Sequence, residues 1–218
     1  MRILYILIAS LFTTSLFSQV DNKLANTGIK VSYQGAVFYP GFRLGIERPY
    51  KIKKKERIFK SFTWTVYKER YLTYNLGTYF HKSFHSNVFL FSEWQIRRQS
   101  NFGVFYEIAP GLGFSRTFLP PTFTIDDNGS SKKVLFAGNF YGLSCFSATF
   151  GVNLHSLNSV PVKVYWKTSV IALVPYNSLF YYRPTIEFGI VYCNSKFWQA
   201  KPKVKHKTKN YSPSEKPE

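Results

Sequence analysis

The sequence of 218 residues carries 29 Lys and Arg against 11 Asp and Glu, a formal charge of +18, and 19% of its residues are aromatic. With 22 Phe, 16 Tyr and 4 Trp it holds more aromatic side chain than the core of a soluble domain requires, which argues against an ordinary soluble domain. The charge favours anionic surfaces, with lipopolysaccharide phosphates or an acidic polymer as candidates.

The chain opens with Met1-Arg2 and then runs apolar from Ile3 to Phe17, broken only by Ser10, Thr13, Thr14 and Ser15. A positive start, a short apolar stretch and a small residue before a polar segment describe a secretory signal peptide over residues 1–18, with cleavage expected at Ser18/Gln19. The stretch is shorter than the roughly 20 residues a spanning helix needs. Removing it takes away only Arg2 and leaves +17. Export makes nucleic acid a poor partner. No later stretch is long and apolar enough to form a membrane helix.

Residues 19–27 are polar and read as a flexible arm, and the barrel described next spans 28–193. From Lys30 to Tyr39 the chain alternates, with Val31, Tyr33, Val37 and Tyr39 on one face and Lys30, Ser32, Gln34 and Ala36 on the other. Pro40-Gly41 interrupts the alternation, and its parity then changes: Phe42, Leu44 and Ile46 point one way, Arg43, Gly45 and Glu47 the other. That break predicts two strands joined at Pro40-Gly41. Residues 51–60 read as a basic, solvated connection, able to meet phosphate groups. Phe62 to His81 is long, and Lys68-Glu69-Arg70 within it is either the water-exposed part of one strand or a turn.

Asn87 to Arg97 alternates with Val88, Leu90, Trp94 and Ile96 outward and Phe89, Phe91, Glu93, Gln95 and Arg97 inward. Val104, Tyr106, Ile108, Leu112 and Phe114 continue the outward face, opposite Glu107, Ala109, Gly111 and Gly113. Small inward residues beside large ones suit the packed interior of a narrow barrel. The connection from Leu119 to Lys133 contains Pro120-Pro121 and Asp126-Asp127-Asn128-Gly129 and is the longest loop. Two further strands follow, with Phe146, Phe150, Val164, Trp166 and Val170 outward and Ser147, Thr149, Lys163 and Lys167 inward.

After a turn at Pro175-Tyr176-Asn177-Ser178 comes the clearest strand, Phe180 to Tyr192. Its even positions are all apolar or aromatic, and Arg183, Thr185 and Glu187 lie opposite, as on a lipid-facing strand. Residues 194–218 are rich in Lys, Pro and Ser and read as a disordered basic tail. The fold expected is all-β, a transmembrane antiparallel up-and-down barrel of about eight strands. Pro110 and Pro184 count against this fold, since each costs a ladder hydrogen bond unless it sits at a rim or bulge, but the alternation around both is otherwise unbroken. Cys145 and Cys193 fall two strands apart, about 9–10 Å, which is beyond disulfide reach, so both are expected as free thiols.

The segments Leu76-Gly77-Thr78-Tyr79, Glu93 to Arg98, Glu107 to Phe118 and Pro175 to Ser178, taken in that order, resemble a family of small bacterial outer-membrane β-barrel proteins, eight-stranded and of the OmpA/OmpX type. The resemblance covers roughly residues 30–192 and implies a barrel without a settled activity. It implies outer-membrane lipid, lipopolysaccharide and the barrel assembly machinery as partners. The basic tail beyond Tyr192 departs from it, since such barrels often end on an aromatic closing strand.

The inward charges are Glu47, Glu93, Glu107 and Glu187 against Arg43, Arg97, Lys163, Lys167 and Arg183. A near balance spread over several strands reads as a structural ion-pair network filling the lumen. Catalytic roles are weighed against this. His81, Ser83, His85 and Ser86 lie together, and lipid A-modifying barrel enzymes use Ser, His and acidic residues, but a strand–strand turn explains the grouping. No catalytic residue, cofactor or metal is expected, and the chain reads as a non-enzymatic barrel with a structural or surface-interaction role. A lipid A-modifying barrel is the alternative. A soluble ligand-binding barrel would place its charges outside and its apolar face inside, the reverse of this pattern.

Overall fold

A computed structural model describes residues 27–35, 40–59, 62–81, 84–125, 129–155, 160–176, 179–193 and 203–210. The signal peptide, the arm up to residue 26, Ser83, and Asn177-Ser178 of the expected turn lie outside the described residues. So do positions 36–39 and 126–128.

Among the described residues eleven strands follow one another: β1 (Gly28–Gly35), β2 (Gly41–Phe59), β3 (Phe62–His81), β4 (His85–Ser100), β5 (Val104–Phe118), β6 (Thr122–Ile125), β7 (Ser131–Val134), β8 (Phe140–Asn153), β9 (Val162–Tyr176), β10 (Leu179–Cys193) and β11 (Lys203–Asn210). Each of β1–β5 and β8–β10 pairs antiparallel with its sequence neighbour in the barrel, and β1 closes the ring by pairing with both β2 and β10. The result is an eight-stranded up-and-down barrel. Following paired residues around the wall from Gly28 through Glu47, Thr73, Glu93, Gly111, Cys145 and Ile171 leads to Arg183, although Gly28 itself pairs with Cys193. The circuit therefore misses by ten residues, which is the shear, and it tilts the strands by roughly 40° to the axis.

Burial alternates along every barrel strand, because successive side chains point to opposite faces of a pleated sheet. The buried set faces the lumen and includes charged residues. The exposed set is apolar: Leu44, Leu76, Leu90, Phe146, Phe150 and Phe188 are each 51–60% exposed. β1 ends at Gly35 and β2 begins at Gly41, so two strands flank the change of parity, with Gly41 itself in β2. Pro110 sits where the β4–β5 ladder lapses between Glu93↔Gly111 and Ile96↔Ile108, and Pro184 stands two residues past the last β1–β10 pair, Gly35↔Ile186. Cys145 and Cys193 are both free and buried.

Several expectations need correction. Residues 51–59 are not a loop: β2 continues through them, in register with β3 from Lys51↔Arg70 to Phe59↔Phe62. A bulge between Pro49 and Lys51 shifts the inward parity from odd residues to even ones, so that Ile52 is fully buried. Lys68-Glu69-Arg70 is strand, not turn. The Leu119–Lys133 connection folds part of itself into the β6–β7 hairpin. Lys203–Asn210, inside the tail expected to lack order, is a strand pairing parallel with Lys51–Ile58. β1 pairs β2 only as far as Glu47, which leaves the edge of β2 beyond it open to another strand.

Candidate functional site

The lumen is filled with side chains in three layers. Nearest the end that carries Gly28 and Cys193, Arg97 donates to both oxygens of Glu47 at 3.0 and 2.8 Å and to Glu107 at 2.9 Å. Lys163 donates to Glu47 at 2.8 Å. The Arg97 guanidinium lies 4.4 Å from the Tyr71 ring centroid and 4.5 Å from that of Phe105. A planar cation with five donors can bridge two carboxylates while stacking on aromatic faces, and a lysine in its place could not.

The middle layer holds two carboxylates. Glu187 accepts from Arg43 and from the Tyr165 hydroxyl at 2.5 Å, with Lys30 Nζ at 3.8 Å. Arg43 also donates to Gln34 at 2.7 Å. Glu93 accepts from Lys167 at 2.5 Å, Asn75 at 3.1 Å and Ser147 at 3.2 Å. Above this layer Tyr79, Phe89, Phe91, Leu143, Ile171 and Leu173 form an apolar cluster, and Arg183 lies 3.7 Å over the Tyr79 ring.

All nine charged residues singled out in the sequence are buried in this lumen. Eight of them meet in ion pairs: Arg43–Glu187, Arg97 with Glu47 and Glu107, Lys163–Glu47, and Lys167–Glu93. Arg183 is placed on an aromatic ring. Two buried charges were missed. Lys30 stood on the inward face by alternation but was not counted among the lumen charges, and Glu69, which accepts from the Tyr71 hydroxyl at 2.7 Å, was masked by the undecided triplet. The neutral partners Gln34, Asn75, Ser147 and Tyr165 give no charge signal in a sequence.

The glycines make this packing possible. Gly77 pairs across the ladder with Phe89, Gly113 with Phe91, Gly151 with Phe105 and Gly189 with Tyr165. A β-carbon on Gly77 would stand 2.4 Å from the Phe89 ring, and one on Gly189 would stand 2.4 Å from the Tyr165 hydroxyl. The rings of Phe89, Phe105 and Tyr165 lie over Gly77, Gly151 and Gly189, whereas at Gly113 the nearest atoms are the Leu90 carbonyl oxygen and the Phe91 α- and β-carbons.

At the opposite end from Gly28, His81 and His85 stack with ring centroids 5.5 Å apart, beside Phe84 and Tyr79. Among the described residues no group of three His, Cys, Asp or Glu could hold a metal ion.

Outside the lumen, the overshooting β2–β3 hairpin carries a concentrated positive charge. Lys51, Lys53, Lys68, Arg70 and Arg98 surround a cleft of about 270 Å³ whose apolar wall is Ile96. Arg98 donates to the Tyr106 hydroxyl at 2.9 Å. Lys54 donates to Glu56 at 2.5 Å, and this bond raises the Lys54 pKa above its ordinary value.

No family model and no curated protein matches the chain. Among solved structures it is similar to the crystal structure of the β domain of the Bordetella autotransporter Brka, at 10% identity over 76% of this chain and 97% of that one, with a TM-score of 0.26. The barrel assignment rests on strand register and ring closure, not on this likeness.

Proposed function

We propose that the chain is an outer-membrane β-barrel, exported through a cleaved signal peptide, with a structural or surface-interaction role and no catalytic one. The observation that carries this reading is the inversion of polarity. Charged residues are buried and paired inside, while a continuous belt of Phe, Leu, Ile, Val and Trp side chains stands exposed outside. In water such a belt would drive association, whereas in a bilayer it is the solvated surface. Closure of the ring satisfies the edge strands, as a hydrocarbon environment demands. On this reading the end bearing Gly28 and Cys193 faces the periplasm and the β5–β8 connection faces outward. The surrounding lipid, the lipopolysaccharide and the barrel assembly machinery are its partners.

The test is membrane fractionation with alkaline carbonate extraction, combined with gel mobility before and after boiling. The protein is expected to stay in the membrane pellet and to run faster when unboiled. Release as a soluble protein would overturn the reading.

One observation favours a second reading, a lipid A-modifying barrel. A groove of about 680 Å³ runs along the outer wall between Tyr33, Phe146, Thr168, Val170, Pro184 and Ile186, large enough for an acyl chain. Ser169 and Thr185, which also line it, are buried and their hydroxyls bond to each other at 2.6 Å, and among the described residues neither His nor a carboxylate lines it. Mass spectrometry of lipid A from cells with and without the protein separates the two readings. Unchanged lipid A supports the structural role, and a modified species supports the enzyme.

A further inference from the structure

We propose that the outward face of the β2–β3 overshoot is a binding site for the phosphate headgroup of an anionic glycerophospholipid, in the leaflet at the end of the barrel carrying Gly28 and Cys193. The inference rests on the membrane-barrel reading and adds a ligand and a place to it. Beyond the bulge at Pro49/Lys51, Lys51 and Lys53 point outward from β2, alongside Lys68 and Arg70 on β3 and Arg98 on β4. These five cations meet around one cleft, although three strands contribute them.

The position of the cleft selects the ligand. Trp94 and Ile96, 49% and 44% exposed, precede Arg98 on the same outward face of β4, so the apolar belt passes directly into the cations. Ile96 itself forms a wall of the cleft. A second cleft of about 360 Å³ adjoins it and shares Lys68 and Arg98. A site that is apolar toward the bilayer and cationic just beyond it matches the junction between acyl chain and phosphate. A soluble anion would have no use for the apolar walls. Among the described residues one carboxylate lines the cleft, Glu69, and it is buried, accepting from the Tyr71 hydroxyl, while the five cations outnumber it.

Two single-tryptophan forms of the full mature chain test the proposal. One keeps only Trp94, beside the site, and the other keeps only Trp166, on the far wall of the barrel, with the remaining tryptophans changed to Phe. Each is folded into phosphatidylcholine vesicles, and quenching by brominated phosphatidylglycerol is compared with quenching by brominated phosphatidylcholine. At Trp94 the anionic lipid should be enriched by at least about three-fold, and at Trp166 the ratio should be close to one. The enrichment should vanish in K53Q/R70Q/R98Q and survive in the charge-matched control R116Q/K132Q/K133Q, whose cations lie at the opposite end of the barrel. Unboiled gel mobility reports that each variant is folded.

Equal ratios at the two tryptophans, or enrichment that persists in the triple variant or is lost in the control, would overturn the site while leaving the membrane barrel intact. Displacement of the lipid by inorganic phosphate at matched ionic strength would assign the cleft to a soluble anion instead. Failure of either brominated lipid to quench either tryptophan would remove the membrane reading itself.

Discussion

Arg43 on β2 and Glu187 on β10 stand 144 residues apart in the sequence and meet as an ion pair inside the barrel, neither side chain exposed by more than 1%. β1 separates their strands, so the pair spans the lumen side of the closing seam. Its members are held in place from several directions, by Gln34, Lys30 and Tyr165. Packing of this kind makes the interior a polar core, and each of the following outcomes depends on it.

Removing one carboxylate should destabilise the barrel in proportion to the cations it leaves behind. Glu47 serves both Arg97 and Lys163, whereas Glu107 serves Arg97 alone, which keeps Glu47. Glu47→Gln is therefore expected to cost about 3–5 kcal/mol, the loss seen when a buried charge is stranded, and Glu107→Gln distinctly less. Urea unfolding in detergent micelles gives both numbers. An unaltered unfolding curve for Glu107→Gln, together with an altered lipid A in cells, would favour the enzyme reading over the structural one.

Ile186 is 46% exposed and Glu187 is fully buried, so neighbouring residues should report opposite environments. Arg in place of Ile186 is expected to destabilise the folded barrel by about 2–4 kcal/mol if the position lies near the bilayer midplane. A spin-labelled or brominated lipid should quench a fluorophore at 186 or 188 and spare one at 187. The reverse pattern would mean that the register is wrong by one residue.

Gly77→Ala probes the close approach of the Phe89 ring. With 2.4 Å between the new carbon and the ring, Phe89 must shift within a filled interior, and a loss of about 1–3 kcal/mol is expected. Gly129, where an added carbon meets nothing within 4 Å, is the matching site for comparing steric crowding, although its φ of +73° adds a backbone term to any substitution. Thermal unfolding of Gly77→Ala and of the double variant Gly77→Ala/Phe89→Leu distinguishes crowding from other causes. The second change should restore part of what the first removes.

A lumen closed by three layers should not conduct. In planar bilayers the purified barrel is expected to show no stable unitary current at any moderate voltage, because eight strands leave an interior just wide enough for side chains to fill. Steady, resolvable conductance steps would show that the layers part, and would reclassify the protein as a channel.

The parts of this structure that were legible in the sequence are those in which alternation and chemistry agree. From Asn87 to Arg97 and from Phe180 to Tyr192 the two faces differ so sharply in polarity that facing follows from counting by two, and the lumen charges follow from facing. What alternation does not contain is the register. That Arg97 would meet both Glu47 and Glu107, or that Phe89 would cover Gly77, depends on how neighbouring strands pair, which no single strand encodes. The β2 extension was missed because the bulge at Pro49/Lys51 reverses parity just where Lys and Arg come to dominate the sequence. β11 was missed for a related reason: Lys alternates there with Val, His and Thr, a period of two without a consistent apolar member.

The ladder between Gly28–Gly35 and Ile186–Cys193 has a topological consequence. A ring of strands has no intrinsic first member, and Gly28 and Cys193 are already cross-strand partners. A short linker joining these two residues, with new ends opened beside Gly129 in the exposed β6–β7 hairpin, would keep every ladder of the barrel while changing which pair of strands is separated by the longest stretch of chain. In the natural order that burden falls on β1 and β10, whose union must wait for the chain between them to be placed. In the permuted order it would fall on β5 and β8, and the slow closing event of folding should move with it.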